Sequence, residues 1–520
     1  MKSDVIIAGG GLAGLGLAKQ LKQANADLDI VIVEKNAFPR PRAIAKVGES
    51  TVEIGSHYLS KHLQLESHLQ EKHLKKFGIR IFFGESTGDF LMRDELGVSQ
   101  VFGIPTYQID RGDIENHLAT EVQSMGVKLI DQADIVAMDI GAEKKLRIKT
   151  QDQEKTLSSR WLIDTAGRAS LIKNHLQLGA KNSHRAHAVW FRIDKKIIID
   201  DWSASPDWRA RCQPEGRRWL STNHLMGPGY WVWIIPLASG VTSIGIVMDE
   251  QAFITSEIQN PQSAMKWLFK NQLRCAEAIG NAKFLDFVVL QDYSYGCKQL
   301  FSDQGWAISG EAGVFADPFY SPGSDFIAFA NGFVASLITD QKNGQDIRLN
   351  ALVFEKILKS IYQNTLSLYL NQYGGFGDRV MMSLKLLWDY TYYWGVLSLL
   401  YFRDALCDFN RIRPHAGELQ KAQDLNQQIQ SLFRVRASQR LVLPNRGIFI
   451  DQYQIPCLQY FNKILMHVPQ TDLATELKNN MEMMRQVAVA VTNMLSDNPD
   501  KIPSDSEREL LGDYRMSVLG

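Results

Sequence analysis

Cysteine is scarce and unpatterned in this chain. The five residues, Cys212, Cys275, Cys297, Cys407 and Cys457, are odd in number and nowhere spaced as C-x-x-C. That speaks against a disulfide frame or a zinc site and for free thiols in a reducing compartment. An excess of one charge is also lacking: 57 Lys plus Arg balance 57 Asp plus Glu, so no basic field exists to attract nucleic acid. No uninterrupted apolar run reaches the roughly 18 residues of a spanning helix, and there is no internal repeat or low-complexity segment. The first residues lead directly into an apolar strand pattern, which leaves no room for a cleavable signal. A cytoplasmic globular protein is expected, and 520 residues predict two or three domains rather than one core.

What is present begins at the N-terminus. Val5 to Ala8 are apolar, a glycine cluster follows, and Leu12, Leu15, Ala18 and Leu21 recur at helical spacing. The pattern predicts strand, tight turn and helix. In Gly9-x-Gly11-x-x-Gly14, Gly9 makes the turn, Gly11 lets backbone approach a pyrophosphate, and Gly14 lets the helix pack on the strand. Leu12 and Ala13 open the helix, whose first N–H groups and positive dipole end suit phosphates. A second strand over 29–34 ends at Glu34, about twenty positions after Gly14, where a ribose hydroxyl needs an acceptor. Dinucleotide binding is expected.

The rest of the chain supplies further candidates. Gly48-Glu49-Ser50-Thr51 opens a helical pattern and reads either as a second phosphate or flavin contact or as an ordinary N-cap. Residues 75–83 alternate into a strand whose charges form either a solvated face or a functional one. Arg111 precedes a helix over 113–125 and is within reach of an adenosine phosphate. Short strands are expected near 127–130 and 146–149, and another over 160–164 ending in a small-residue turn. Residues 183–284 hold aromatic, alternating strands that predict an antiparallel sheet walling a pocket. A strand and turn at 305–313, the loop 315–323 and a helix over 326–337 return to the nucleotide domain. Beyond 350 the pattern is helical, and 388–402 is unusually aromatic. It reads as a buried helix, or as a groove for an apolar or carrier-tethered substrate, or, through 381–404, as a membrane-surface face. The tail after Leu495, with Pro499 and Pro503, is expected to be loose.

Three motifs then stand in order. To the glycine motif are added Trp231-Val-Trp233-Ile-Ile235-Pro236 and Phe315-Ala-Asp-Pro318-Phe-Tyr-Ser321-Pro-Gly323. With W-x-W-x-I-P and F-x-x-P-x-x-S-x-G so placed, residues 1 to about 345 resemble the flavin-dependent halogenases, the family of tryptophan, pyrrole and phenol halogenases. The implied fold is α/β: a Rossmann-like FAD-binding domain over 1–350, containing the antiparallel substrate wall, and a C-terminal helical region over 351–520. The implied cofactor is FAD, delivered reduced by a separate flavin reductase, with O2 and chloride or bromide as co-substrates.

By its own geometry the tryptophan pair projects from one face of a strand and reads as core. By the resemblance, Trp231, Trp233 and the strand end at Pro236 stand beside the flavin and keep organic substrate away, so that halide is oxidised to hypohalous acid. The stiff loop with Phe315, Pro318 and Ser321 borders the flavin. Backbone N–H groups near Ser321, Gly323 and Ser324 are the candidate halide donors, since an anion needs converging dipoles. A lysine then presents the halogen to carbon. Lys76, in Lys76-Phe77-Gly78, matches the K-x-G form; Lys75 competes, because an alternating strand points only one of the two at the pocket. Lysine suits the role through its three donors and a pKa that falls on burial.

The chain departs from the family in having Gly310-Glu311 where Gly-Asp would contact the ribityl chain, and Ser324-Asp325-Phe326 in place of an apolar run. The extra catalytic glutamate of tryptophan halogenases has no counterpart, which favours a phenolic or pyrrolic substrate, free or on an acyl carrier protein. Two other readings remain at this stage: a single-component FAD-dependent aromatic hydroxylase or prenyl reductase, and a non-catalytic flavin-binding escort.

Overall fold

The computed structural model describes every residue except 45, 85–88, 152, 253–257, 468–471, 497–503 and 520. The strand Lys2–Ala8 is the axis of the first sheet. Val5, Ile6 and Ile7 are fully buried, as a consecutive apolar run must be when helices cover both faces of parallel strands. It pairs in parallel with Ile30–Val33 on one side and Glu154–Asp164 on the other. Lys128–Ile130 extends one edge in parallel, Trp306–Ile308 pairs with Glu154–Asp164, and the strands Lys144–Lys149 and Asp134–Ile140 close the sheet antiparallel. The helix Leu12–Ala24 packs between Arg111–Ser124 and Gly323–Lys342.

The second sheet has eight strands, in the order Phe284–Leu290, Ala186–Ile193, Thr242–Asp249, Tyr230–Pro236, Thr222–Gly227, Ile79–Phe83, Glu95–Gly97 and Phe449–Asp451. It is therefore wider than the 183–284 wall and mixed rather than purely antiparallel: Thr222–Gly227 runs parallel to Ile79–Phe83, and Phe449–Asp451 parallel to Glu95–Gly97. The charged stretch before Phe83 is not one alternating strand. It breaks over 76–78, where Gly78 takes φ of +71° between the short strand Leu74–Lys75 and Ile79–Phe83. Arg80 is buried inside the sheet because Glu95 faces it, with Arg211 and Arg218 on the same carboxylate; these guanidinium groups hold Glu95 down at about 2 despite its burial.

The expected division at 350 falls inside the helix Arg348–Ser367. One hydrophobic core runs from Val5 to Val518 across it. The aromatic stretch is a continuous helix, Arg379–Tyr392 passing through a π-helical segment Tyr393–Ser398 into Leu399–Phe402. Trp388, Trp394 and Leu399 are buried in the core, so these side chains face inward. No helix among the described residues is long and apolar enough to cross a membrane. The tail is not loose where it is described: Asp505–Leu511 and Tyr514–Leu519 dock through Leu511 and Val518, and Tyr514 donates to the Ser383 carbonyl at 2.8 Å. Pro499 and Pro503 lie outside the described residues.

Candidate functional site

At the first turn Gly9 has φ of +113°, and a Cβ at Gly14 would lie 2.0 Å from the Gly9 carbonyl. Helix and strand meet there only because both positions are glycine. The Gly10 N–H donates to Glu34 Oε2 at 2.8 Å, while Oε1 accepts from the Asn36 N–H at 2.9 Å and Arg40 sits 3.2 Å away. The glycine edge and Glu34 open onto a groove of about 510 Å³ whose lining includes Gly9, Gly11, Leu12, Ala13, Lys46, Arg111, Arg168, Glu311 and Gly323.

A buried charge cluster underlies one end of that groove. Glu115 is fully buried, and Arg40, Lys46 and Arg111 approach its carboxylate at 2.7, 2.9 and 2.8 Å. The three cations keep its carboxyl below the usual range against the effect of burial, and burial lowers the Lys46 ammonium. Counting Glu34, the cluster retains one positive charge. A glycine cradle, this cationic end and a carboxylate at the ribose position fit flavin adenine dinucleotide. Lys46 and Arg40 were not legible as site residues; the only sequence signal is their basic charge in the proline-punctuated segment after Glu34.

The segment Gly48-Glu49-Ser50-Thr51 divides. Burial pushes Glu49 up to about 8, and Glu49 and Ser50 line a second, narrower cavity. Thr51 lies behind it, with its hydroxyl bonded to the Tyr107 carbonyl and its Oγ1 accepting the Tyr107 N–H. Neither Ser50 nor Thr51 caps the helix Glu53–His57, which begins at Val52 without a side-chain cap, so the N-cap reading is corrected. Gly310 takes φ of +64° beneath Ala13, and Glu311 lines both cavities 3.8 Å from the Arg168 guanidinium.

The second cavity, about 60 Å³, shares Gly48, Trp190, Glu311 and Gly323 with the groove and adds Trp231, Trp233, His224, Phe315, Asp317, Pro318 and Ser321. The Trp231 and Trp233 rings stand on one strand face with centroids 5.6 Å apart. Trp233 is fixed by donation to Ser243 Oγ at 3.3 Å, which also receives the Trp190 N–H at 2.9 Å. Pro236 ends the strand opposite Thr242, outside the lining of either cavity.

In the loop, Tyr320 and Ser321 both have left-handed backbones, at φ of +70° and +57°. Non-glycine residues rarely hold this conformation in succession. The Ser321 N–H donates to the Pro318 carbonyl at 3.0 Å, Tyr369 donates to the Phe319 carbonyl, and the Tyr320 hydroxyl donates to Asp389 at 2.8 Å. The Ser321 N–H is thus already engaged in the turn. Gly323 and Ser324 instead open the helix Gly323–Lys342, where the first N–H groups have no carbonyl one turn back.

The two lysines separate cleanly. Lys75 is exposed, whereas Lys76 is 4% exposed and donates to Ser50 Oγ and the Thr51 carbonyl, each at 3.1 Å. Lys76 therefore stands directly behind a lining residue of the second cavity. Burial pushes its ammonium down to about 8, opposed by the charges of Glu53 and Asp325. Asp325, lifted by burial to about 7, accepts from the Gly55 N–H at 2.8 Å and the Tyr393 hydroxyl at 2.7 Å. His224, on the cavity wall, is pushed down to about 3 by burial.

Comparison with known proteins points to the same cofactor. The FAD binding domain family matches residues 2–230. A flavin-dependent halogenase of Dictyostelium discoideum is 26% identical over 436 residues, covering 76% of this chain and 70% of that protein. A 1H-pyrrole-2-carbonyl-[peptidyl-carrier protein] chlorinase of Pseudomonas fluorescens is 24% identical over 389 residues, covering 69% and 81%. Among solved structures, the halogenase PltM in complex with phloroglucinol and FAD aligns with a TM-score of 0.68 at 17% identity, over 99% of this chain and 98% of that one. The chain carries an FAD-binding domain, and its resemblance to flavin-dependent halogenases extends over most of its length.

Proposed function

We propose that this protein is a two-component flavin-dependent halogenase acting on an electron-rich aromatic ring, phenolic or pyrrolic. The observation that carries the reading is a succession of parts: a dinucleotide groove, a narrow cavity beneath paired indoles, and a buried lysine behind that cavity's wall. Reduced FAD with O2, when bound, supplies the oxidant that converts halide to hypohalous acid.

The chain's own residues do the rest. Glu34 and the Arg40–Lys46–Arg111 cluster hold the nucleotide end, and Glu311 with Arg168 borders the groove nearer the second cavity. Trp231 and Trp233 exclude an organic ring while leaving room for a small anion. The free N–H groups of Gly323 and Ser324 meet that anion. Lys76 has two of its three N–H donors engaged, leaving one to hydrogen-bond hypohalous acid and to protonate the departing oxygen, which leaves as water as the halogen passes to carbon; the ring proton released from that carbon restores the ammonium. A carrier-tethered substrate finds support in the pyrrole–carrier-protein relatives.

The test is direct. Purified protein is incubated with FAD, a flavin reductase, NADH, bromide and a panel of phenols and pyrroles, and products are read by mass spectrometry. Bromination is expected. Oxygen insertion would replace this reading by an aromatic hydroxylase, NADPH oxidation without a reductase would overturn the two-component scheme, and flavin binding without turnover on any substrate would point to an escort.

A further inference from the structure

Asp317, whose side chain is a carboxylate, is among the residues lining the narrow cavity, together with Ser321 and Gly323. If that cavity receives halide, a negative side chain stands next to an anion. Like charges a few ångströms apart in a partly dry site repel strongly, so the pocket needs compensation.

The surroundings of Asp317 supply it. The carboxylate is 1% exposed and fully bonded: Oδ2 accepts from the Tyr373 hydroxyl at 2.6 Å and the Tyr293 hydroxyl at 2.8 Å and faces His184 Nε2 at 2.7 Å, while Oδ1 accepts the Phe319 N–H at 2.9 Å. Three separate segments converge on it. His184 precedes the strand Ala186–Ile193, Tyr293 follows Phe284–Leu290, and Tyr373 belongs to the C-terminal region. The two phenols contribute dipoles but no charge. Lys385, a buried cation on which the charge of Asp317 acts, is already paired with Asp389 at 2.9 Å. His184, itself buried, is the partner in contact that can carry a positive charge.

We propose that His184 is the counter-charge that allows a carboxylate to sit on the halide cavity wall, and so is a positioning residue for halide binding. The inference rests on reading the narrow cavity as the halide site. It assigns a role to a residue outside all three motifs, and it explains why a loop with two left-handed residues keeps its shape: the charged hub anchors Phe319, one position before Tyr320.

Four proteins test it: wild type, His184→Gln, Asp317→Asn and the double variant, each loaded with FAD and assayed with a flavin reductase while bromide is varied. Glutamine retains a donor to Asp317 but no charge. The expected result is a bromide KM raised roughly tenfold in His184→Gln, with a smaller change in kcat, and restored towards wild type in the double variant. Restoration is the signature that structural damage does not produce. FAD affinity, measured by flavin fluorescence, should be the same in all four and confirms folding. An unchanged bromide KM in His184→Gln, or a double variant as impaired as the worse single one, overturns the proposal. Wild type that makes no brominated product sinks the halogenase reading instead, and the two failures are thereby told apart.

Discussion

Replacing Lys76 with methionine separates what the residue does for the reaction from what it does to the fold. The unperturbed ammonium titrates near 10.5, and in the folded protein burial lowers this to about 8. Between those values the unfolded chain holds a proton that the folded chain has lost, so stability rises with pH across that window. Below pH 8 both states are charged, and the folded one carries the whole desolvation cost, on the order of 3 kcal/mol. Methionine matches the stem and has no charge, so at pH 7 Lys76→Met is expected to be more stable than wild type.

The lost hydrogen bonds to Ser50 and the Thr51 carbonyl offset part of this, at about 1 kcal/mol each. A net gain of roughly 1–2 kcal/mol remains. With an unfolding entropy of about 1.1 kcal/mol/K for a chain of this length, the melting temperature rises by only about 1–2 °C. Differential scanning fluorimetry in replicate, at pH 7 and pH 10, resolves such a shift, and the gain should shrink at the higher pH. Halogenated product should fall at least about a hundredfold, with FAD affinity unchanged. A variant destabilised equally at both pH values would show that Lys76 is a structural ion-pair member, and a variant that still halogenates would remove it from the reaction.

Gly14→Ala should lose FAD binding and soluble yield together, because its Cβ would meet the Gly9 carbonyl at 2.0 Å; size-exclusion chromatography and flavin fluorescence read both. Glu34→Gln removes the charge facing Arg40 and is expected to weaken FAD binding about tenfold without changing the bromide KM. Ser243→Ala withdraws the acceptor shared by Trp190 and Trp233. It should lower stability by roughly 1–3 kcal/mol and raise the NADH consumed per brominated product as the indole loosens.

The first sheet was legible because its signals are local. A buried parallel strand needs a continuous apolar run, and the turn after it needs glycines, so Val5 to Gly14 announce themselves. Of the two candidate lysines, the structure buries Lys76 and exposes Lys75; which of them acts in the reaction is the subject of the Lys76→Met test. The width of the second sheet was not legible. Ile79–Phe83 is buried on both faces despite Arg80, and Glu95, on the neighbouring three-residue strand, makes that tolerable by facing the guanidinium. The docked tail was missed for another reason: Leu511, Tyr514 and Val518 fall at helical spacing, but Gly512 splits them between two short helices, and only packing on the body of the protein gathers them into the core. At the loop, composition predicted stiffness but could not reveal that the turn itself consumes the Ser321 N–H, while Gly323 and Ser324 open the following helix.

The three-residue strand Phe449–Asp451 has a bearing on how such proteins can be recombined. It hydrogen-bonds to Glu95–Gly97 in the sheet that carries the tryptophan pair, and Asp451 accepts the Ser99 N–H at 2.9 Å. A chimaera that exchanged everything after residue 345 for the corresponding portion of a similar halogenase lacking this strand would leave Glu95–Gly97 as a bare outer strand, open to pairing with a neighbouring molecule. Transplants aimed at a new substrate range should therefore retain residues 445–453 of the recipient, or bring along a donor segment able to complete the same ladder.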